Sequence, residues 1–105
     1  MRKLEVYITK NGREPFTEWF EHQDKVTRGR IISYLERVSL GAAKKNIKPL
    51  GNGVFEVKID YGPGYRVYFG LVGKVIVLLL LGGHKGSQNR DIEQAKMYWR
   101  EYESK

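Results

Sequence analysis

Near the start of the chain, Leu4, Val6 and Ile8 alternate with Lys3, Glu5 and Tyr7. This period of two predicts a strand with one buried face, ended by a turn at Asn11 and Gly12. Pro15 suits the first turn of a helix, where its missing N–H costs nothing, and Phe16, Trp19 and Phe20 follow at helical spacing. Asp24 is placed to cap a second helix whose buried stripe is expected to be Val26, Ile31, Leu35 and Val38, with Gly41 as its stop. The segment AAKKNIKPLGNG is polar and basic, and its Pro and Gly predict a loop.

Three strands are predicted next. VFEVKI alternates, with Glu56 and Lys58 on one face and Phe55, Val57 and Ile59 on the other. Tyr65 to Leu71 alternates less cleanly, and Val75 to Leu81 is continuously apolar, as in a central strand covered on both faces. The connections DYGPGYR and VGK are short and contain glycine, which predicts an antiparallel meander. A last helix is expected to be capped by Asn89, with Ile92, Ala95, Trp99 and Tyr102 on its buried face. The expected fold is a single α+β domain over residues 1–105: a small antiparallel sheet with two N-terminal helices and a C-terminal helix, in the order β-α-α-β-β-β-α.

Charge changes this picture more than composition does. Nineteen Lys and Arg against twelve Asp and Glu leave a net charge of +7, which favours a polyanionic partner, nucleic acid first. The chain has no cysteine, which excludes disulfides, thiolate nucleophiles and Cys-ligated zinc, and with two histidines no metal or other cofactor is expected. The N-terminal residues become charged too early for a secretory segment, and Val75 to Leu81 is too short to span a bilayer. A cytoplasmic protein without a membrane partner is expected.

The candidate chemistry lies on the Glu56–Lys58 face and in GGHKGSQNRDIEQA, Gly82 to Ala95. Cleaving an RNA phosphodiester without metal needs a base for the 2′-hydroxyl, cations for the phosphorane and a proton donor for the departing 5′-oxygen. Glu56 or His84 could be the base, Arg66 could grip phosphate in a fork, Lys58 and Lys85 could add charge, and His84 could deliver a proton. Each also has a structural alternative: Glu56 and Lys58 as a solvated strand face, His84 as a turn residue, and Arg66 paired with Glu56 or Asp60.

The runs PLGNGVFEVKIDYGPGYRVYF and VLLLLGGHKGSQNRDIEQAKMYW resemble the RelE/ParE toxin superfamily, in particular its HigB-like addiction-module killer branch. The resemblance covers nearly the whole chain. It implies a type II toxin that cuts ribosome-bound mRNA without metal and is neutralised by a cognate helix-turn-helix antitoxin. It also implies catalytic roles for Lys58, Arg66 and Lys85; His84 is expected to join them in catalysis, and Glu56, Lys44, Lys45, Lys48, Gln88 and Arg90 are expected to contact RNA. The glycines before His84 are expected to let RNA approach the backbone. His84 stands where relatives of that branch carry Asp, Lys58 where they carry Arg, and Ile92 where RelE-type nucleases carry a functional Tyr. The alternatives are a ParE-like inhibitor of DNA gyrase and a basic RNA-binding domain without catalysis.

Overall fold

The computed structural model describes residues 1–105. In chain order it has β1 (Lys3–Val6), α1 (Pro15–Glu21), α2 (Lys25–Ser39), β2 (Ile47–Gly51), β3 (Val54–Ile59), β4 (Tyr65–Val72), β5 (Ile76–His84) and α3 (Gln88–Glu103). Short 3₁₀ turns, Lys44–Asn46 and Lys85–Ser87, precede β2 and α3. The five strands lie in the order β1-β5-β4-β3-β2. β2 to β5 form an antiparallel meander, and β1 pairs in parallel with β5, which requires the crossover that α1 and α2 provide.

The α+β class and the helix order agree with the sequence pattern; several details differ. The segment expected to be a loop contains β2, whose proline is tolerated because β2 is an edge strand whose outer side needs no donor. After Val6 the buried side chain is Tyr7, while Ile8 is 50% exposed. In α2, Asp24 caps as expected by accepting the Thr27 N–H at 2.8 Å. Thr27, however, is buried, and Val26 at 59% exposure is not part of the stripe. Helix α3 begins at Gln88, so Asn89 lies inside it and the capping position falls to Ser87.

The helices cover opposite faces of the sheet. Phe16 of α1 and Ile31, Leu35 and Val38 of α2 pack on Val57, Ile59, Val67, Phe69, Val77 and Leu79. Ala95 and Trp99 of α3 pack on Val54, Tyr68, Leu78 and Leu80, with Tyr7 joining them. Both faces of β4 and β5 are therefore buried, which explains the unbroken apolar run in β5. Two glycines make room for tryptophan: a Cβ at Gly70 would collide with Trp99, and one at Gly82 with Trp19. No helix is long and apolar enough to cross a membrane.

A bulge in β5 sets where the polar residues point. Phe69 pairs with Leu79 and Tyr68 with Leu81, so Leu80 has no partner across the ladder. The extra residue reverses the alternation of β5, and Gly83, opposite Arg66, comes to the α3 face.

Candidate functional site

The α3 face is apolar at one end and charged at the other, because α3 starts at Gln88 and leaves the adjoining ends of β2, β3 and β4 open. Cross-strand pairs fix the charged rows: Lys48 faces Glu56 and Tyr68, and Lys58 faces Arg66 and Gly83. These side chains line a cleft of about 540 Å³ with Lys45, Asn46, Ile47, Asp60 and Gln88. A second cleft of about 330 Å³ shares Lys58, Asp60 and Arg66 and continues over the loop 61–64 to Lys85.

Arg66 is the buried centre of this arrangement. Its Nε lies 3.5 Å from Glu56 Oε1, an ion pair without hydrogen-bond geometry, and its Nη1 donates to the Gly64 carbonyl at 2.9 Å. Gly64 adopts φ +80°, a conformation that favours glycine, so the turn that presents this carbonyl depends on the residue type. Gln88 donates to the other Glu56 oxygen at 2.9 Å, tying the start of α3 to the pair. Glu56 is 4% exposed, so its carboxylate is occupied by Arg66 and Gln88 rather than solvated. A buried pair of this kind adds little net stability; it holds the arginine in one place. Beneath it, burial and then the Glu56 and Asp91 carboxylates push the Tyr68 hydroxyl well above the usual tyrosine range, and that hydroxyl has no hydrogen-bond partner.

The exposed groups are Lys45, Lys48, Lys58, Lys85 and Asp60. Asp60 Oδ2 accepts from Asn46 Nδ2 at 2.9 Å, and Oδ1 stands 4.0 Å from Lys58 Nζ. Asn46 also donates to the Lys58 carbonyl at 3.0 Å and so ties the turn before β2 to the end of β3. The first cleft holds four cations, Lys45, Lys48, Lys58 and Arg66, against two carboxylates, and one of those is spent on Arg66. What remains open is a positive surface with one carboxylate oxygen, Asp60 Oδ1, that accepts no hydrogen bond and faces Lys58.

His84 lines neither cleft. It pairs with Tyr65 at the end of β5, and its Nδ1 accepts the Gly86 N–H at 3.0 Å, which places the neutral ring's proton on Nε2. The Ser87 hydroxyl donates to Asp91, a buried residue of α3, and the His84 N–H in turn donates to Ser87 Oγ at 3.4 Å. The histidine therefore closes the turn that carries Lys85. Gly83 does not open the backbone to a ligand as expected, because the space a Cβ would take is filled by Asp91, just as Trp19 fills it at Gly82.

Of the residues singled out in the sequence, Lys45, Lys48, Glu56, Lys58, Arg66 and Gln88 share the first cleft, and Lys85 joins Lys58 and Arg66 in the second. Lys44 borders a different pocket, and Arg90 is exposed on α3 outside both clefts. Sequence reasoning passed over Asp60 and Asn46 as members of the site. Asp60 carried a signal, since it continues the alternation Glu56, Lys58, Asp60; Asn46 carried none while its segment read as a loop. No three His, Asp or Glu side chains converge on a common point.

Residues 18–101 match the model of the family described as phage derived protein Gp49-like (DUF891). An uncharacterized protein of Haemophilus influenzae is 37% identical over 83 residues, which span 78% of this chain and 83% of that protein. The chain belongs to the phage-derived Gp49-like family, a family of RelE-like toxins.

Proposed function

We propose that this chain is the toxin of a type II toxin-antitoxin pair, a HigB-like endoribonuclease that cuts ribosome-associated mRNA without a metal ion and so arrests translation in the cytoplasm. The observation that carries the proposal is the convergence of Lys45, Lys48, Lys58 and Arg66 in one cleft, continued by Lys85. RNA phosphates neutralise such a surface, and counterion release drives the binding.

The geometry suggests how the work divides. Asp60, through the Oδ1 that accepts no hydrogen bond and stands 4.0 Å from Lys58 Nζ, takes the proton of the attacking 2′-hydroxyl. Arg66, fixed by Glu56 and Gly64, and the Lys58 ammonium stabilise charge on the phosphorane. Lys58 or Lys85 gives a proton to the departing 5′-oxygen. His84 shapes the turn that positions Lys85. A cognate helix-turn-helix antitoxin, itself acidic where it meets this face, silences the protein by covering it.

Expression of the chain alone is expected to arrest growth, with mRNA cut and DNA intact, and co-expression of the antitoxin to restore growth. Lys58→Ala and Lys85→Ala are the clean probes, because both side chains are exposed and each loss should lower cleavage by about 100-fold with the melting temperature unchanged. Arg66→Ala is not clean: it strands a buried carboxylate. His84→Gln should leave the single-turnover rate and its pH profile unchanged; a fall of about 100-fold would put the imidazole into the proton transfer. Broken DNA with intact mRNA would replace this reading by the gyrase inhibitor, and arrest with both intact by the non-catalytic RNA binder.

A further inference from the structure

On the α1–α2 side of the sheet an apolar pocket of about 160 Å³ opens beside the edge strand. Val38, Phe55, Phe69 and Leu71 line it, and the rings of Phe55 and Phe69 stack with centroids 5.6 Å apart. Its volume suits one large side chain, since a dry cavity of about 150 Å³ takes a benzene ring. Arg2 and Lys44 also line it and no carboxylate does. The Arg2 Nε is buried there without a hydrogen-bond partner.

The pocket and the first cleft lie on opposite faces of the sheet and meet at its edge. Ile47 lines both, Lys44 borders the pocket, and Lys45 and Lys48 border the cleft, so the segment from Lys44 to Lys48 carries positive charge round the sheet edge from one to the other. A lipid headgroup would bring a single anion to one end of that line. An acidic peptide, with Asp or Glu at successive positions, can bring a carboxylate to each of these lysines together with the apolar side chain that the pocket fits.

Resting on the toxin reading above, we infer that this edge seats an acidic segment of the partner antitoxin. One large apolar side chain fills the pocket beside Arg2, and the carboxylates that follow lie over Lys44, Lys45 and Lys48. The seated segment closes the cleft to RNA without touching Lys85.

The test uses the full chain and two fluorescent peptides, acetyl-Glu-Phe-Glu-Glu-Glu-Glu-amide and the same peptide with Gly for Phe. The Phe peptide is expected to bind at least about 10-fold more tightly, the contribution of one buried aromatic side chain, and to displace a short RNA oligonucleotide. Ala42→Trp, which fills the pocket from its exposed rim, should erase the preference for Phe, and Lys44→Glu, which leaves the apolar lining intact, should weaken both peptides. Equal binding of the two peptides overturns the proposal, as does a preference that survives Ala42→Trp or Phe-peptide binding that leaves RNA in place. Octanoate binding without any Phe preference would make the occupant a lipid, and a dimer abolished by Ala42→Trp would make it a second copy; either result also overturns it. The peptide measurement needs no cleavage. A chain that prefers the Phe peptide but neither arrests growth nor cuts RNA would refute the toxin reading and keep the docking site; one that arrests growth without the preference would do the reverse.

Discussion

The two faces of the sheet are built from the same strands and end differently. On the α1–α2 face, apolar residues continue from Val77 and Leu79 across β4 to Val57 and Ile59, and α2 alone runs fifteen residues over them. On the α3 face the apolar cluster stops at Tyr68 and Val54, and the next positions are Glu56, Lys58 and Arg66. Placing ions at the end of a buried face costs desolvation that an apolar surface would avoid. The sheet is closed where it must hold together and left charged where a helix stops short, which is where RNA is proposed to bind.

The strongest way to break this contrast is to remove the anion that sits beneath the charged half. Glu56→Ala leaves Arg66 buried without its partner and should cost about 3–5 kcal/mol in urea unfolding. Combining Glu56→Leu with Arg66→Met should recover most of that stability while RNA cleavage is lost. Recovery of cleavage as well would mean that the pair serves the fold alone. On the apolar half, Gly70→Ala forces Trp99 off β4 and should cost about 1–3 kcal/mol through overpacking, with the cleft unchanged and RNA affinity preserved once the protein is folded.

The smallest expected effect lies on the opposite face, at Asp24. The Thr27 N–H, as the largest cause, holds its carboxyl below the ordinary aspartate value. A depressed value stabilises the fold above the unfolded pKa of about 3.9 and loses that contribution as pH falls through the lower folded value. Asp24→Ala should therefore lower the urea midpoint at pH 7, and the gap to the wild type should close in acid below about pH 3.9. A gap that persists there would show that the cap acts without its charge.

Much of this contrast was legible in the sequence. Alternation in VFEVKI placed Glu56 and Lys58 together, and the same period extended to Asp60 would have completed the row. The unbroken run in β5 showed a strand buried on both faces, although it hid the bulge that brings Gly83 to the α3 face, because a continuous apolar stretch has no period to interrupt. β2 was unreadable because Pro49 and Gly51 in a short polar segment signal a loop, and proline fits a strand only at an edge, a first residue or a bulge. Burial of Glu56 could not be inferred either, because a charged residue in a strand looks the same whether it meets water or an arginine on its neighbour. Likewise GG before His84 signals close approach without naming what approaches: here it is Trp19 and Asp91.

RNA is proposed to meet the charged half of the α3 face and no other part of a chain whose excess of cations is spread widely. The direct measurement is the salt dependence of affinity for a short single-stranded RNA, compared among single lysine variants. Lys45→Ala, Lys48→Ala and Lys58→Ala should each reduce the slope of log affinity against log salt by close to one phosphate contact, about 0.7 for a single strand. Lys10→Ala and Lys74→Ala, both exposed and outside the two clefts, should leave the slope unchanged. Equal reductions at all five positions would mean that the net charge, and not this cleft, binds RNA.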